Sequence, residues 1–391
     1  MLLPLLLAGV LGAWLRFAFM LRQISALPNL ARGAAAPAPA GGASWPRLSV
    51  VLAARDEAES IRSAVSSLLA QDYPALEVIA VDDRSRDATG AILDELAAAH
   101  PNLEVVHVGA LPDGWLGKTN ALARGAAQST GELLLFTDAD VLFADGALRL
   151  AVAWAVRERL GHAVALPHFV APGLLERSFV SLFGLFFLVH LEANALGRAG
   201  SAAHVGVGAF NLVRRSALER SPGLSWLKME VVDDIALGQM LKRSGARASV
   251  ARGDGAVSLD FYRSAGELIR GIEKNGFATL GSFNYAQLAA MVLGFLVIEC
   301  APLGAVAAFG HPLVQVSGLA ILALALGLCA WTARLYGRRM APALLYPVGL
   351  ALLMAGEVRS GWLAARQGGV TWRGTLYPLD QLRAGMRRQF L

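Results

Sequence analysis

The chain has 391 residues, of which 55% are hydrophobic and 17% are charged, and its formal net charge at pH 7 is +5. This composition is too apolar for an ordinary soluble protein and predicts one globular domain together with membrane segments. The weak positive charge lies mostly beside apolar segments, which fits a membrane surface better than nucleic acid. Nucleic acid is therefore not an expected partner, and the two cysteines provide no disulfide framework.

Residues 1–21 are a nearly continuous apolar run with Arg16 as their only charge, which fits a membrane anchor. A secretory signal peptide is the alternative, because small residues at 35–40 could form a cleavage site, but no positive region precedes the apolar run. We therefore expect a retained transmembrane anchor at 1–21 and an extended Ala/Pro/Gly linker at 22–46.

Residues 47–284 are expected to form the globular domain, and from Arg47 to about Arg252 the pattern alternates between predicted strands and helices. The strands are expected at Leu48–Ala53, Leu76–Val81, Leu103–Val108 and Glu132–Thr137. This rhythm predicts an α/β domain with a mostly parallel sheet that helices cover on both faces. Ligands of such sheets bind at the carboxyl ends of the strands, so the residues that follow each strand are candidates for a site.

Two carboxylates, Asp138 and Asp140, follow the fourth predicted strand. Residues two apart on an extended chain point to the same face, so these side chains would repel each other without a cation between them. Mg²⁺ and Mn²⁺ favour such hard oxygen ligands, and Mg²⁺ is usually shared with substrate phosphates. The pair predicts a metal–diphosphate site, and a solvated turn at the strand end is the alternative.

The first and second predicted strands also end in polar clusters. Arg55 and Glu57 follow the first strand, and Asp82 and Asp83 follow the second. A carboxylate at such a place could accept a hydrogen bond from a uracil imide or from ribose hydroxyls, or it could belong to a cluster that caps the next helix. Three polar strand ends at one sheet edge are stronger evidence for a nucleotide site than any one of them.

Lys118 lies in a Gly-Lys-Thr sequence that suggests a P-loop, but Pro112 occupies the position where that motif requires glycine. The lysine opens a predicted helix, whose N-terminus favours phosphate or another anion. A solvated lysine is the equally simple alternative.

Asp233 and Asp234 precede another amphipathic helix. They could cap that helix and interact with its dipole. One of them could instead act as the general base that deprotonates an acceptor hydroxyl beside a sugar donor.

The C-terminal part is again membrane-like, with candidate spans at Ala286–Phe309, Leu313–Thr332 and Ala341–Gly356. We expect transmembrane or re-entrant helices at 285–365 and a basic tail at 366–391. Arginines flank the last segment on both sides, and arginines favour the cytoplasmic side of a membrane. A full crossing would leave one of the two groups outside, whereas a re-entrant hairpin would keep both inside. The segment is therefore expected either to span the membrane or to be re-entrant. Leu174–Leu191, inside the globular part, is expected to be an interfacial helix.

Arg270 and Lys274 lie on a predicted amphipathic helix just before the first C-terminal span. They could neutralise a departing diphosphate. Binding of anionic lipid by a juxtamembrane basic helix is the alternative.

Six stretches in this order resemble family 2 glycosyltransferases with the nucleotide-sugar fold: Val50–Glu57, Val81–Thr89, Gly117–Leu122, Thr137–Asp140, Gly208–Arg215 and Val232–Asp234. The resemblance implies that Asp82 or Asp83 contacts the nucleotide base and that Asp138 and Asp140 hold the metal–diphosphate. It implies that Asp234 is the base. Such enzymes are inverting, because the acceptor oxygen attacks the anomeric carbon directly as the nucleoside diphosphate leaves.

Leu111–Lys118, Glu273–Phe277 and Val370–Gly374 resemble the membrane-bound branch that includes hopene-associated and carotenoid glycosyltransferases. If the last apolar segment is re-entrant, it brings Trp372 and Arg373 back to the active-site side, where they are expected on the diphosphate or acceptor side. The Gln-x-x-Arg-Trp motif of processive polysaccharide synthases is absent from the sequence, which favours transfer of a single sugar.

The expected function is transfer of one sugar from a nucleotide-diphosphate sugar, a UDP-sugar by default, to a hydroxyl of a polyisoprenoid, hopanoid or carotenoid lipid. The catalytic domain is expected at the cytoplasmic face of a bacterial-type inner membrane that the chain crosses several times. The alternatives are a catalytically silent lipid-binding or scaffold protein with this fold, a processive polysaccharide synthase, and a transporter. The transporter is suggested by Glu299 inside a candidate span.

Overall fold

The computed structural model describes residues 2–30, 44–189, 192–262, 264–335 and 344–387, without the side chains of 2, 181, 183–189 and 274. The helices are α1 (Leu2–Ser25), α2 (Ile61–Leu69), α3 (Thr89–Ala99), α4 (Gly117–Gln128), α5 (Ala147–Arg157), α6 (Leu174–Val189), α7 (Arg215–Glu219), α8 (Asp233–Arg243), α9 (Ala265–Thr279), α10 (Tyr285–Val306), α11 (Pro312–Leu335), α12 (Tyr346–Gln367) and α13 (Leu379–Gly385). The strands are β1 (Leu48–Ala54), β2 (Leu76–Asp82), β3 (Leu103–His107), β4 (Leu133–Asp138), β5 (Val141–Phe143), β6 (His162–Leu166), β7 (His168–Val170), β8 (Asn211–Arg214), β9 (Ala248–Arg252), β10 (Val257–Asp260), β11 (Gly369–Trp372) and β12 (Thr375–Pro378).

These elements form two compact units, each built from three separate parts of the chain. The sheet unit comprises Leu27–Val170, Ala193–Asp260 and Arg373–Leu391. The helical unit comprises Met1–Ala26, Ala171–Glu192 and Phe261–Trp372. The C-terminal residues expected as a basic tail therefore divide, and those from Arg373 onward belong to the sheet unit. The greater part of the predicted linker, residues 31–43, lies outside the described residues.

A seven-stranded sheet in the order β3-β2-β1-β4-β8-β6-β9 forms the centre of the sheet unit. The first four strands are parallel, and β6 and β9 are parallel to each other. Only β8, among these seven strands, runs antiparallel to both of its neighbours. The predicted mostly parallel sheet is therefore confirmed, and the short antiparallel β8 is an addition that the alternating pattern did not reveal. A second sheet has the order β5-β10-β7.

Both faces of the large sheet are buried, and β1 shows how the sequence achieves this. Val50 and Leu52 pack on one face with residues of α2, α3 and α5. Val51 packs on the other face with residues of α4 and α8. An apolar run without polar alternation is what a strand covered on both sides requires. The rigid sheet then presents the polar residues that follow its strands along one edge.

The helical unit has its own apolar core, to which α1, α6 and α9–α12 contribute. Within the described residues, α1, α10, α11 and α12 are long and apolar enough to cross a membrane by length and composition. The last of these begins and ends later than the predicted segment Ala341–Gly356. The predicted segment contains two prolines, which could interrupt a helix. Pro347 lies in the first turn of α12, where the lack of a backbone N–H is tolerated, and Pro342 lies outside the described residues. The expected interfacial helix corresponds to α6, although 190 and 191 are outside the described residues.

Polar contacts join α9 to α12 inside this unit. The Ser360 hydroxyl donates to the Glu273 carbonyl at 2.7 Å and accepts from the Phe277 N–H at 2.9 Å. Arg359 forms an ion pair with Glu273. These contacts explain why α12 carries charged residues in its middle, where a simple lipid-facing span would have apolar ones.

His107 joins two parts of the sheet unit at the end of β3. Its Nδ1 lies 3.0 Å from Asp82 Oδ2, and its Nε2 lies 2.9 Å from Asp94 Oδ1. Hydrogen bonds to Asp94 and then to Asp82 raise the pKa of His107 above its ordinary value of 6.5. Below this raised pKa, the imidazolium therefore links β2 to α3.

This raised pKa makes stability depend on pH with a defined sign. The stabilisation from charged His107 is fully present below the unfolded pKa and is lost as pH rises through the higher folded pKa. We expect His107→Gln to lower the midpoint of thermal unfolding more at about pH 6 than at about pH 9. Asp94→Asn should reduce this pH dependence in the same way. A difference between wild type and His107→Gln that is equal at both pH values would contradict the assignment.

Candidate active site

Lys118 brings together two of the predicted acidic groups at the carboxyl edge of the sheet. Its Nζ lies 2.7 Å from Oδ1 of Asp138, the last residue of β4, and 3.4 Å from Oδ1 of Asp233, the first residue of α8. Burial acts to lower the pKa of Lys118, but Asp138, Asp233 and Asp234 outweigh it and hold the pKa above its ordinary value. Lys118 is thus a partly buried, charged residue of this cluster and not a solvated lysine.

Asp140 lies in a turn after β4, so the chain is not extended through both carboxylates as the spacing argument assumed. The two carboxylates are nevertheless close enough to interact. Burial first, and then Asp138 and Glu57, raise the pKa of Asp140 to about 7. Burial also raises the pKa of Glu57, and the negative charge of Asp138 adds to this increase. Three hard oxygen side chains therefore share an excess of negative charge.

A divalent cation would relieve this excess, and the donor set fits Mg²⁺ or Mn²⁺. Among the described residues, no group of three or more His, Cys, Asp or Glu side chains is arranged to hold a metal ion by itself. An ion held by Asp138 and Asp140 would thus need further oxygen ligands, as Mg²⁺ usually takes from substrate phosphates.

Asp234 is held in place by two backbone N–H groups. Gly208 donates to its Oδ2 and Ile235 donates to its Oδ1, each at 2.8 Å. Asp233 is buried beside Lys118, whereas Asp234 is half-buried and keeps access to solvent. Of the two carboxylates at the start of α8, Asp234 is therefore the more accessible to solvent.

Gly208 lies between the two acidic groups, and sequence reasoning gave it no role of its own. A Cβ at this position would lie 2.5 Å from Asp138 Oδ2. Its N–H at the same time donates to Asp234. The loop before β8 therefore needs glycine here, since any side chain would displace Asp138. The signal in the sequence was its place at the start of the Gly208–Arg215 motif.

On the predicted nucleotide side, Asp82 and Asp83 have different partners. Asp82 accepts from the Ser85 N–H at 3.1 Å and contacts His107. Asp83 accepts from Arg84 Nε at 2.8 Å and Nη2 at 3.0 Å, and Arg55 Nη1 lies 3.5 Å away. Asp82 thus organises the strand end, whereas Asp83 is a buried carboxylate that two arginines hold.

A different residue of this cluster, Asp87, makes the contacts at the start of α3 that were considered as the alternative role. Asp87 accepts from the N–H groups of Thr89 at 2.9 Å and Ala58 at 3.0 Å. It thereby secures the start of α3 and the loop after β1.

Of the residues predicted on the diphosphate or acceptor side, Arg373 joins the sheet-unit site. It forms an ion pair with Glu57 and donates to the Asp56 carbonyl at 3.2 Å. Arg270 and Trp372 belong to the helical unit. Lys274 lies in α9, and its side chain is outside the described part of the structure.

A comparison with known families identifies the domain that carries these residues. Residues 49–221 match the family model described as Glycosyl transferase family 2. These residues form a family 2 glycosyltransferase domain, most of which lies in the sheet unit. The resemblance seen in the sequence is thereby confirmed, and the matched residues include the ends of β1, β2 and β4 as well as Gly208.

Two curated relatives name lipid-type molecules. The chain is 35% identical over 164 residues to a beta-monoglucosyldiacylglycerol synthase of Synechocystis sp., a match that covers 39% of this chain and 33% of that protein. It is 24% identical over 225 residues to a 4,4'-diaponeurosporenoate glycosyltransferase of Staphylococcus haemolyticus, covering 57% of this chain and 59% of that protein. The chain therefore spans between a third and three fifths of the length of these relatives.

Among solved structures, the mannosyltransferase PcManGT from Pyrobaculum calidifontis, in complex with GDP-Man and Mn²⁺, is similar to this chain. The likeness covers 92% of this chain and 98% of that one, with a TM-score of 0.55 and 22% sequence identity. At this identity the similarity establishes a common fold of the glycosyltransferase domain.

The space around Gly208 gives a direct test of the site. We expect Gly208→Ala to displace Asp138 and to lower sugar transfer about 100-fold, since a shift of about 1 Å in a reacting group has an effect of that size. Gly109→Ala is the matched control, because no atom lies within 4 Å of a Cβ there. The measurement is transfer of labelled sugar by membranes with equal amounts of each variant. Equal activity of both variants would rule out this role for Gly208.

Proposed function

We propose that this protein transfers a single sugar from a nucleoside-diphosphate sugar to a hydroxyl group of a membrane lipid, with inversion at the anomeric carbon. The observation that carries the proposal is the bridge that Lys118 makes between Asp138 and Asp233. It joins the strand end that would face the diphosphate to the start of α8, where Asp234 would face the acceptor.

In the proposed reaction, Asp234 takes the proton from the acceptor hydroxyl. The hydroxyl oxygen forms a bond to the anomeric carbon while the bond from that carbon to the diphosphate oxygen breaks, and the electron pair leaves with the nucleoside diphosphate. The two backbone N–H groups on Asp234 hold its carboxylate in one orientation, which suits a general base. The positive charge of Lys118 offsets the charge that develops on the leaving group.

Asp138 and Asp140 would hold a Mg²⁺ or Mn²⁺ ion in this reaction. When bound, the ion would supply positive charge to the leaving diphosphate. Asp83 and Arg55 would receive the base and ribose, with UDP as the default nucleotide. Arg373, which pairs with Glu57, would add a second cation near the diphosphate.

The lipid acceptor is supported by two kinds of observation. The names of the two curated relatives refer to a diacylglycerol glycolipid and to a carotenoid-type acid. The chain itself has four helices with the length and composition of membrane spans in its described part. We therefore extend the expected polyisoprenoid, hopanoid and carotenoid acceptors to diacylglycerol lipids, with the sheet unit on the cytoplasmic side, where nucleotide sugars are made.

The general base can be tested by one substitution. Asp234→Asn keeps the shape of the side chain but cannot take up a proton, and we expect kcat to fall by about 10² to 10⁴. The matched control is Asp145→Asn at an exposed site of the same unit, which should keep wild-type activity. The assay is transfer of labelled sugar from a UDP-sugar to total membrane lipid with Mn²⁺.

Activity of Asp234→Asn within a few-fold of wild type would exclude Asp234 as the base. A wild-type protein that neither transfers nor hydrolyses nucleotide sugars with Mg²⁺ or Mn²⁺ would instead favour the catalytically silent scaffold.

The course of the chain also restricts the membrane topology. The chain leaves the sheet unit after Asp260 and returns to it at Arg373. If the sheet unit lies on one side of a bilayer, the chain must cross an even number of times in between, yet α10, α11 and α12 are all candidate spans. We propose that α10 and α11 cross as a pair and that α12, with Glu357 and Arg359 in its middle, does not cross fully.

Cysteine accessibility tests this topology. In a background with Cys300→Ala and Cys329→Ala, single cysteines at three exposed sites, Glu104→Cys, His311→Cys and Asp380→Cys, would be treated with a membrane-impermeant maleimide. We expect Glu104→Cys and Asp380→Cys to be labelled in inverted vesicles and His311→Cys to be labelled in intact cells. Labelling of Asp380→Cys in intact cells would show that α12 spans and would overturn the proposed topology.

A further inference from the structure

The segment Arg373–Arg387, here called the C-terminal strap, is an ordered part of the sheet unit. It contains β12 and α13 and follows the last candidate span. The sequence predicted only a basic tail in this region. The strap contacts the sheet unit at three places, and the first two lie beside residues of the proposed donor site.

The first contact is made by Arg373. Its guanidinium pairs with Glu57 and donates to the carbonyl of Asp56. Arg373 and Asp56 both have positive φ, 47° and 53°, which non-glycine residues rarely adopt. Such a conformation persists only where surrounding contacts enforce it, so the start of the strap and the loop after β1 are held in one defined arrangement.

The second contact is made by Tyr377, which is buried in the sheet unit and 6% exposed. Its hydroxyl accepts a hydrogen bond from the N–H of Gly117, the first residue of α4, at 3.2 Å, and it also interacts with Arg84. A Cβ on Gly117 would lie 2.1 Å from Asp83 Oδ2. Tyr377 therefore completes a tight cluster with Gly117, Arg84 and Asp83.

The third contact closes the end of the strap. A Cβ on Gly385 would lie 2.2 Å from the Met229 Cβ, so α13 approaches this residue closely. The N–H of Arg387 donates to Glu230 Oε2 at 2.8 Å. Glu230 is buried and lies three residues before Asp233. The strap thus runs from the end of β1, past the cluster around Asp83, to the segment that leads into α8.

We propose that the C-terminal strap forms one wall of the nucleotide pocket and that Tyr377 is a residue that determines recognition of the base. This inference rests on the proposed function, because it takes Asp83 as the carboxylate that meets the base. A flat heteroaromatic base packs favourably on an aromatic ring or a guanidinium plane, and Tyr377 and Arg84 place both beside Asp83. The ligand class is a nucleoside diphosphate, free or carrying a sugar.

A purely structural role is the competing explanation, in which Tyr377 only fastens the strap to α4. The two roles differ in what a mild substitution changes. Loss of a fastening contact lowers the unfolding midpoint and leaves nucleotide discrimination unchanged. Loss of a base contact raises the Kd and the KM for the donor, leaves kcat unchanged, and changes the preference between bases.

The experiment uses the full-length purified protein with Mn²⁺ and two probes, UDP and GDP, whose binding is measured by calorimetry. Tyr377→Phe keeps the ring but removes the hydroxyl that holds Gly117 and Arg84 in place beside the base, and we expect about tenfold weaker binding of the nucleotide that wild type prefers, the effect of one hydrogen bond. For Tyr377→Leu, which also loses the ring, we expect the ratio of the two affinities to change. Tyr285→Phe in α10 removes a hydroxyl in the same way and should bind both probes as wild type does.

Each result decides the matter. If wild type binds a nucleotide and both Tyr377 variants, folded by their unfolding midpoints, bind both probes with wild-type affinities, the inference is overturned while the proposed function stands. If wild type binds neither probe, the proposed function fails and this inference fails with it. If Tyr377→Leu does not fold, the test rests on Tyr377→Phe alone. Its nucleotide affinity, and its separate effects on the KM for the donor and on kcat, then decide between the two roles.

Discussion

The partly buried ammonium group of Lys118 forms the interaction on which the rest of the site depends. Around it lie the end of β4 and the start of α8, each of which carries carboxylates that would repel one another without a cation. Ion pairs with partners that solvent reaches add little net stability, because water screens the attraction. The lysine is therefore better explained by its hold on Asp138 and Asp233, which ties the end of β4 to the start of α8, than by stability alone.

The parts of the site that follow apolar strands could be predicted because their placement is a local property of the chain. Asp83 and Asp138 stand directly after buried runs, and parallel strands bring such ends to one edge. Tyr377 could not be predicted in this way, since its partner Gly117 lies 260 residues earlier. Gly208 belonged to a recognised motif, yet its role depends on two side chains that only the folded loop brings near.

Two differences between prediction and structure have the same physical origin. The spacing argument assumed an extended chain through Asp138 and Asp140, but the chain turns after the strand and keeps the carboxylates close by another route. The hydropathy pattern ended the last apolar segment at Gly356, whereas α12 continues to Gln367 because α9 supplies partners for Arg359 and Ser360. Tertiary contacts decide both cases, and these are not visible in a local window of sequence.

The position of the C-terminal strap in the chain has a consequence for biosynthesis. The sheet strands are made early, but Arg373–Arg387 emerges from the ribosome after every membrane helix. Domains fold in the order in which their residues appear, so the nascent sheet unit lacks the contacts of the strap until Arg373–Arg387 has been made. In the proposed arrangement, the donor pocket is therefore completed only after α10, α11 and α12 have been synthesised.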